Sequence, residues 1–375
     1  MGEGAVVTDR SEPSMRAARQ DPDHGAGDAA QVAHTLAALR DLGLQRVESP
    51  AAALSAVRLD PALWQVTAER PAMSTLVSVV ALGPSRERIE EAIGRSFEVM
   101  QRLIELLTRF DAASPVSVLN GTGRLDGPPP EVGEVVRQAL DYHRLTRGAF
   151  DVSVAPLVDL YQDRLVREAP VEPTRAEVAE ALERVGAEHV VLSRHRIGLG
   201  RPGMRLTLDG IAKGYIVDAV CAELDREGVR RYLVNAGGDI RTRGLNSRGQ
   251  AWTIAVENPW RRGDYPDAIR LTDAAVATSG NYERSFDEAR MYHHIVNAAN
   301  GRSPVHCSSV TVVAPTALAA DALATSAFVM GPRHGVAFVE ALPGCACLIL
   351  DHEGREHRSR TWRSATPLNG GSETS

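Results

Sequence analysis

Two short polar segments contain the residues whose types and spacing could perform chemistry. The first begins at Thr207 and carries Gly210, Lys213 and Gly214 where a helix is predicted to begin. Backbone N–H groups at a helix start and a lysine ammonium both favour an anion such as a phosphate. A lone glycine cluster is weak support, so an ordinary tight connection explains this segment equally well. The spacing is not that of a P-loop kinase, which needs G-x-x-x-x-G-K-[ST].

The second segment contains Asp321 and Thr325, which are four residues apart in the run Ala317–Met330. This run has helical apolar spacing, so the two oxygens are predicted to lie one turn apart on a common face. Magnesium prefers oxygen ligands and usually takes only one or two carboxylates. The pair therefore fits a cation site, although by itself it also fits a capping or surface Asp with a Thr bonded to its own helix.

The elements that must position these residues follow from hydrophobic periodicity. Helices are predicted at about Ser85–Leu107, Glu131–Arg144 and Ile211–Glu227, with another beginning at a capping box formed by Thr174 and Glu177. Strands are predicted at Leu76–Leu82, Arg231–Val234, Trp252–Val256, Ala275–Thr278, His293–Val296 and Ser309–Ala314, followed by a helix and a closing strand. Helices mixed with mostly antiparallel strands indicate an α+β fold.

The chain is divided by composition into a central domain and two tails. Residues 1–60 are interpreted as a flexible N-terminal tail with a possible short helix at Ala33–Leu44. Residues 61–365 form the predicted catalytic domain, and residues 366–375 form a flexible C-terminal tail. The paired glycines Gly237 and Gly238 follow a predicted strand in this domain, where the absence of Cβ atoms lets a ligand approach the backbone.

Bulk properties restrict the class of protein. The chain of 375 residues has 42 basic and 48 acidic residues, and its net charge of −6 argues against a nucleic-acid-binding protein. No stretch approaches the roughly 20 consecutive apolar residues of a membrane helix. Residues 1–28 lack the basic start and apolar core of a secretory signal, so a cytoplasmic location is expected. The four cysteines are interpreted as small buried apolar residues rather than as a zinc site or a disulfide framework.

Several motifs occur in one order along the chain and change the balance in favour of function. They are Ser114–Asn120, Phe150–Leu157, Thr207–Gly244, Ala275–Arg284, Tyr292–Val296 and Ala320–Thr325. This ordered set, within roughly Glu69 to Leu350, resembles the FAD:protein FMN transferase family, also called the ApbE family. The resemblance implies an ApbE-like, T-fold-related α+β architecture with mostly antiparallel sheets and flanking helices. It also implies a Mg²⁺-dependent enzyme that uses FAD as substrate.

The reaction implied by the resemblance is transfer of FMN from FAD to a Thr or Ser of an acceptor flavoprotein, with release of AMP. The acceptor carries a D-x-x-[ST]-G-[AS]-T motif, which this chain lacks. Two alternatives stay open from the sequence. One is a Mg²⁺-dependent FAD pyrophosphatase that gives FMN and AMP with water as acceptor, and the other is a flavin-binding protein without turnover.

The resemblance also implies roles for individual residues. Metal ligands are Gly210, through its carbonyl, Asp321 and Thr325, and the catalytic pair is His294 and Lys213. Lys213 neutralises a pyrophosphate oxygen, while His294 takes a proton from the acceptor hydroxyl as a neutral imidazole. The neighbouring His293 is interpreted as a surface or core residue, because adjacent strand residues point to opposite faces.

A further set of residues is implied in binding the flavin and adenine portions of FAD. Its members are Met73, Phe110, Ala149, Phe150, Asp151, Thr207, Lys213 and Val296. Simple core packing is an open alternative for Met73, Phe110 and Val296. Asn120 and Asp239 are interpreted as braces of the surrounding loops.

The sequence departs from the family pattern at three places. Thr207 stands where relatives have Asp, with Asp209 as a candidate replacement, and Ala324 stands where relatives can carry an acid. The segment Asn297–Gly301 replaces Asp-Pro followed by Thr-Gly.

Overall fold

The computed structural model describes residues 53–261 and 263–365. Its strands are β1 (Ala53–Asp60), β2 (Leu63–Ala72), β3 (Thr75–Gly83), β4 (Arg124–Asp126), β5 (Val190–Ser193), β6 (Arg196–Leu199), β7 (Arg231–Ala236), β8 (Asp239–Arg243), β9 (Trp252–Val256), β10 (Asp267–Leu271), β11 (Ala275–Gly280), β12 (Cys307–Ala314), β13 (Ala346–Asp351), β14 (Glu356–Arg358) and β15 (Ser364–Ala365). Its helices are α1 (Arg86–Leu107), α2 (Pro115–Thr122), α3 (Pro130–Leu145), α4 (Ala155–Leu165), α5 (Arg175–Leu182), α6 (Ala212–Arg226) and α7 (Ala317–Glu340). The predicted helix at Ala33–Leu44 and the predicted C-terminal tail lie outside the described residues.

A nine-stranded sheet organises the described part of the chain, in the order β1-β2-β3-β7-β8-β11-β12-β13-β14. Its neighbouring strands pair antiparallel, as do those of two small sheets, β15-β10-β9 and β4-β6-β5. The α+β class with mostly antiparallel sheets and flanking helices is therefore confirmed. The strand β1 lies inside the predicted N-terminal tail, which moves the start of the domain from residue 61 to at least Ala53.

The central strands of the large sheet are buried on both faces. In β13, Cys347 and Ile349 join the apolar cluster formed with α1, α6 and α7, whereas Leu348 and Leu350 join a second cluster formed with β9 and β10. Successive strand residues point to opposite faces, so this continuous apolar run is what a strand between two layers requires. All four cysteines are buried and unpaired, as expected from the sequence.

Helix starts agree with their sequence signals. The Ser85 side chain accepts from Arg88 N–H at the start of α1, and the predicted capping box of Thr174 and Glu177 is present at α5.

The predicted strand at His293–Val296 is wrong, because this segment forms only an isolated bridge between Ser285 and His293. No helix among residues 53–261 and 263–365 is long and apolar enough to cross a bilayer.

Candidate active site

The helices α6 and α7 meet at Gly214, where a side chain would not fit. A Cβ on Gly214 would lie 2.4 Å from the carbonyl oxygen of Ala317 and 2.7 Å from the Cα of Leu318. The Gly214 N–H donates to Oδ2 of Asp321 at 3.1 Å. Farther along α6, Asp218 accepts the N–H groups of Ala317 and Leu318, each at 2.9 Å. Asp218 therefore caps the first turn of α7 and fixes Asp321 relative to the start of α6.

We expect Gly214→Ala to separate these two helices. The atoms that the new methyl group meets belong to the backbone, so rotation of a side chain cannot relieve the clash. Overpacking of this kind costs about 1–3 kcal/mol or more, and urea unfolding should show at least that loss in the free energy of unfolding. The matched control is Gly94→Ala in α1, where a Cβ meets nothing within 4 Å. Its higher helix propensity should increase stability by up to about 1 kcal/mol, and equal losses in both variants would refute the close approach.

The three predicted metal ligands come together at this helix crossing. A Cβ on Gly210 would lie 3.3 Å from Oγ1 of Thr325, and that hydroxyl is 3.2 Å from Oγ of Ser279. Asp321 lies one turn before Thr325 on α7 and is only 5% exposed. A carbonyl, a carboxylate and a hydroxyl form the all-oxygen set that Mg²⁺ prefers. The geometry therefore supports the predicted roles of Gly210, Asp321 and Thr325, which stay predictions.

Lys213 faces a buried acidic group beside the same crossing. Its Nζ lies 3.6 Å from Oδ1 of Asp239, and neither carboxylate oxygen of Asp239 has a hydrogen-bond partner among the described residues. Burial disfavours the ammonium, but the charges of Asp239, Glu283 and Asp321 outweigh it and raise the pKa of Lys213. Burial raises the pKa of Asp239. Burial, together with the negative charge of Asp239, raises the pKa of Asp321 well above its usual range. The single positive charge of Lys213 therefore does not balance these carboxylates in their ionised forms. A divalent cation can neutralise the excess negative charge.

Glu283 is a member of this cluster that sequence reasoning did not assign. Its side chain stays exposed, yet the crowding of protein atoms around it raises the pKa of its carboxyl to about 7. The positive charge of Lys213 opposes this rise, and the negative charge of Asp239 adds to it. Its position within the Ala275–Arg284 motif is the only signal that could have identified it. Asp239, interpreted from the sequence as a loop brace, instead carries the counter-charge of Lys213.

His294 is held in one tautomer. Its Nδ1 lies 3.2 Å from the carbonyl oxygen of Arg284, and because a carbonyl only accepts, Nδ1 must carry the proton. Burial lowers the pKa of His294 to about 4, partly opposed by that hydrogen bond. The neutral ring then presents Nε2 as a proton acceptor. His293 is fully buried, with Nε2 3.0 Å from the carbonyl oxygen of Pro304, which agrees with its interpretation as a core residue.

Met73 lies at the tip of the β2–β3 hairpin. Met73 and Ser74 have φ values of 52° and 59°, a left-handed conformation that side chains rarely adopt outside tight turns. The next residue, Thr75, contacts Gly237, where a Cβ would lie 2.3 Å from the Thr75 hydroxyl oxygen. This contact places the hairpin tip beside the turn that leads to Asp239, and Met73 itself packs partly buried against the main apolar cluster, in agreement with the packing alternative.

Phe110 presents an exposed ring between two guanidinium groups. It is 52% exposed, with the Arg109 guanidinium carbon 4.8 Å and that of Arg284 5.8 Å from its ring centroid. Arg109 in turn lies 3.8 Å from Oδ2 of Asp209, next to Gly210. Core packing is therefore not the role of Phe110, because an exposed aromatic face beside cations is suited to a flat anionic ligand.

The turn Ala149–Asp151 lies against the predicted metal set, but its carboxylate is already engaged. The ring of Phe150 lies 3.3 Å from the place of a Gly210 Cβ. Asp151 accepts from the N–H and hydroxyl of Ser153 at 2.7 and 2.5 Å, and from the N–H of Ala187 at 3.1 Å. These contacts already engage the Asp151 carboxylate, so it positions the turn, and the FAD-binding role implied for Asp151 by the resemblance stays a prediction.

Thr207 and Val296, the two remaining residues predicted to bind FAD, have contacts typical of structural residues. Thr207 is buried, and its hydroxyl accepts the N–H of Asp209 at 3.3 Å, so it shapes the turn before Gly210. Val296 is 4% exposed within the apolar cluster of α4 and α5, which is the packing alternative left open by the sequence. Asn120 braces this region as expected, because its side chain bonds both backbone groups of Leu206 at 2.7 and 2.8 Å.

The segment that departs from the family pattern forms its own closed turn. The Asn297 side chain accepts the N–H of Ala299 at 2.9 Å, and its backbone N–H donates to the Arg302 carbonyl at 2.9 Å. Gly301, at a φ of 71°, packs so closely that a Cβ would lie 2.7 Å from Val178. An asparagine turn therefore stands where the resemblance implies Asp-Pro.

Known proteins are similar to this chain in sequence and in overall structure. The ApbE family profile matches residues 73–349. An FAD:protein FMN transferase of Vibrio cholerae is 35% identical over 235 residues, covering 61% of this chain and 70% of that protein. One of Salmonella typhimurium is 30% identical over 305 residues, covering 79% and 86% of the two chains. The crystal structure of the ApbE protein of Thermotoga maritima superposes with a TM-score of 0.71 at 32% identity, covering 79% of this chain and 97% of that one. The chain therefore belongs to the ApbE family.

Proposed function

We propose that this protein is a Mg²⁺-dependent FAD:protein FMN transferase, which attaches FMN to a Thr or Ser of an acceptor flavoprotein and releases AMP. Its relatives from Vibrio cholerae and Salmonella typhimurium carry that activity in their names. The observation that carries the proposal is the meeting of Gly210, Asp321 and Thr325 at one helix crossing, beside the ammonium of Lys213. Distant parts of the chain thus converge on one site suited to a pyrophosphate.

The residues present fit a magnesium ion. The buried carboxyls of Asp239 and Asp321 share the single ammonium of Lys213, and the raised pKa of Asp321 reflects the positive charge that its ionised form lacks. Gly210 leaves room beside Thr325 that a Cβ would fill. Asp321, the Thr325 hydroxyl and the Gly210 carbonyl would hold the ion, and a bound ion would neutralise charge on the bridging phosphates of FAD.

The protein's own groups orient FAD around this point. Lys213 lies in the first turn of α6, where its ammonium favours a phosphate oxygen. The exposed ring of Phe110 offers a stacking face for the flavin or adenine ring, and Met73 offers polarizable surface at the hairpin tip. The role of Phe150 in this binding follows from the position of its ring against Gly210, while the adjacent Ala149 lines a neighbouring cavity.

His294 removes the proton that the transfer releases. The oxygen of an acceptor Thr or Ser forms a bond to the phosphorus of the FMN half, while the bond from that phosphorus to the bridging oxygen breaks. The proton of the hydroxyl passes to Nε2 of His294, and AMP leaves with the bridging oxygen and its electron pair. Phosphoryl transfer depends on positioning and charge neutralisation more than on covalent help from the protein, so this set of groups is sufficient.

The test is incubation of the full chain with FAD, Mg²⁺ and a peptide containing D-x-x-T-G-A-T, followed by mass spectrometry of the peptide. We expect an FMN adduct that requires Mg²⁺ and disappears when the acceptor Thr is replaced by Val. Release of free FMN at a rate that the peptide does not change would identify a pyrophosphatase instead. Retention of intact FAD without turnover would identify a flavin-binding protein. The acceptor motif and the cytoplasmic location stay predictions.

A further inference from the structure

A pair of hydroxyl groups lies beside the proposed magnesium set. Oγ of Ser279 is 3.2 Å from Oγ1 of Thr325, and this is the only hydrogen bond that the Thr325 hydroxyl makes within residues 53–261 and 263–365. Ser279 is buried, with 7% of its surface exposed. The proposed metal ligands and catalytic residues do not include Ser279, so its contact with a proposed ligand calls for a physical account.

The strand β11 directs Ser279 toward α7. Ala275 and Ala277 belong to the apolar cluster that contains α7, whereas Val276 belongs to the cluster on the other face of the sheet. Because side chains alternate along a strand, Ser279 lies on the same face as the two alanines. These small side chains let the helix approach the strand closely, and Ser279 is the polar member of the row that meets it.

The Thr325 hydroxyl does not bond to its own helix. A helical Ser or Thr commonly donates to the carbonyl four residues earlier, and the neighbouring Ser326 does so, at 2.6 Å from the Ala322 carbonyl oxygen. Thr325 instead turns its hydroxyl toward Ser279 and toward Gly210, where a Cβ would lie 3.3 Å from Oγ1. The structural alternative that the sequence left open for Thr325 therefore describes Ser326.

A hydroxyl oxygen that binds a cation needs a partner for its proton. The oxygen has two lone pairs and one proton, so a lone pair that faces the ion forces the proton to point elsewhere. In a buried site that proton requires an acceptor, because an unpaired polar group costs free energy. Oγ of Ser279 is the acceptor within hydrogen-bond distance of the Thr325 hydroxyl.

We propose that Ser279 is a positioning residue of the magnesium set, which accepts the Thr325 proton and thereby directs a Thr325 lone pair toward the ion. The inference rests on the metal ligands given under the proposed function. It assigns to Ser279 no contact with FAD or with the acceptor. Groups that orient a metal ligand in this way typically change metal affinity about 10–100-fold when they are removed.

The test is Mn²⁺ binding to the full chain with FAD present and no acceptor, followed by the electron paramagnetic resonance signal of free Mn²⁺. FAD alone serves as the blank, and Mn²⁺ shares the preference of Mg²⁺ for oxygen ligands. We expect Ser279→Ala to weaken Mn²⁺ binding about 10–100-fold. Because Ser279 acts through Thr325, the same substitution in a Thr325→Val background should cause no further loss.

The matched control is Thr278→Val, which removes a hydroxyl from the opposite face of the same strand. The hydroxyl oxygens of Thr278 and Thr311 are 2.9 Å apart across β11 and β12. This variant should bind Mn²⁺ as the parent chain does. Melting temperatures with EDTA measure the structural effect of each substitution separately from metal affinity, and circular dichroism checks that both variants fold.

Four outcomes would overturn the proposal. They are parent-like Mn²⁺ affinity in Ser279→Ala, an equal loss of affinity in Thr278→Val, additive losses in the double variant with Thr325→Val, and no Mn²⁺ binding by the parent chain. The last outcome would also remove the magnesium set. The expected Mn²⁺ affinities without FMN transfer to the peptide would support the role of Ser279 and remove only the transferase function.

Discussion

Asp321→Asn is expected to lower the rate of FMN transfer at least about a thousandfold while the protein stays folded. The substitution removes the charged oxygen of the proposed metal set but keeps an oxygen that can accept the Gly214 N–H bond at the helix crossing. A bound cation contributes several kcal/mol to phosphoryl transfer, which corresponds to a factor of that size. The rate at saturating FAD and Mg²⁺, measured with the acceptor peptide, checks the result.

The same substitution should increase stability when metal is absent. Burial and the charge of Asp239 raise the pKa of Asp321, so the folded protein holds a proton that the unfolded chain releases near the ordinary value of about 3.9. That contribution to stability is present at low pH and is lost as the pH rises toward the raised pKa. With EDTA, melting temperatures should therefore decline with increasing pH more in the parent chain than in Asp321→Asn. Added Mg²⁺ should stabilise only the parent chain.

A buried carboxylate elsewhere on the chain provides the matched control. Asp351 is 3% exposed and accepts bonds from Arg355 and His357, each at 2.9 Å, neither of which is a predicted site residue. Asp351→Asn should lower the melting temperature and leave turnover per folded molecule unchanged. Mg²⁺-dependent transfer by Asp321→Asn at the parent rate would remove Asp321 from the metal set.

Elements with strong local patterns could be predicted from the sequence. The apolar stripe of α1, its cap at Ser85 and the capping box at Thr174 depend only on neighbouring residues, and each is present. The edge strand β1 was missed because Leu54 and Val57 are exposed, so it has no buried alternating face to recognise. The His293–Val296 segment has strand-like residues, but its backbone N–H groups donate to the Arg284 carbonyl and the Ser303 hydroxyl in irregular loops.

In the candidate site too, local patterns could be predicted from the sequence but tertiary contacts could not. Helical spacing correctly places Asp321 and Thr325 one turn apart, because both are on α7. The contact of Thr325 with Gly210 and the bond from Gly214 to Asp321 depend on the close helix approach at Gly214, which no local pattern encodes. The pattern also does not reveal that the Asp151 carboxylate is engaged by Ser153 and Ala187. Tertiary contacts of this kind, together with the crowding around Glu283, require the folded chain.

The second large effect is expected for His294→Asn, which should lower FMN transfer about 10²–10⁴-fold with little change in FAD affinity. The amide N–H of Asn can replace the bond from Nδ1 to the Arg284 carbonyl, but it offers no basic nitrogen. Because the bond to the Arg284 carbonyl is retained, the backbone turn stays in place. The variant therefore measures the effect of losing the basic nitrogen alone. Single-turnover rates and FAD binding, measured separately, distinguish loss of chemistry from loss of substrate.

The lowered pKa of His294 sets the direction in which kcat/KM and stability change with pH. Because burial lowers the pKa of His294 to about 4, the ring is neutral throughout the neutral range. The acid limb of kcat/KM should therefore lie near pH 4 rather than near the ordinary histidine value of about 6.5. Between these values the unfolded chain binds a proton that the folded protein does not, so stability is lost as the pH falls from about 6.5 through 4. His294→Asn should reduce this loss.

The adjacent histidine separates a catalytic from a structural effect. His293 is fully buried and bonds the Pro304 carbonyl through Nε2, and His293→Gln keeps an amide N–H at that distance along the side chain. It should lower the melting temperature while folded molecules retain most of their transfer rate. Two outcomes would exclude His294 as the base, namely a His294→Asn variant within about tenfold of the parent rate, or an acid limb that persists unchanged in that variant. Either result would leave the raised pKa of Glu283, about 7, as the better match to a proton acceptor at this site.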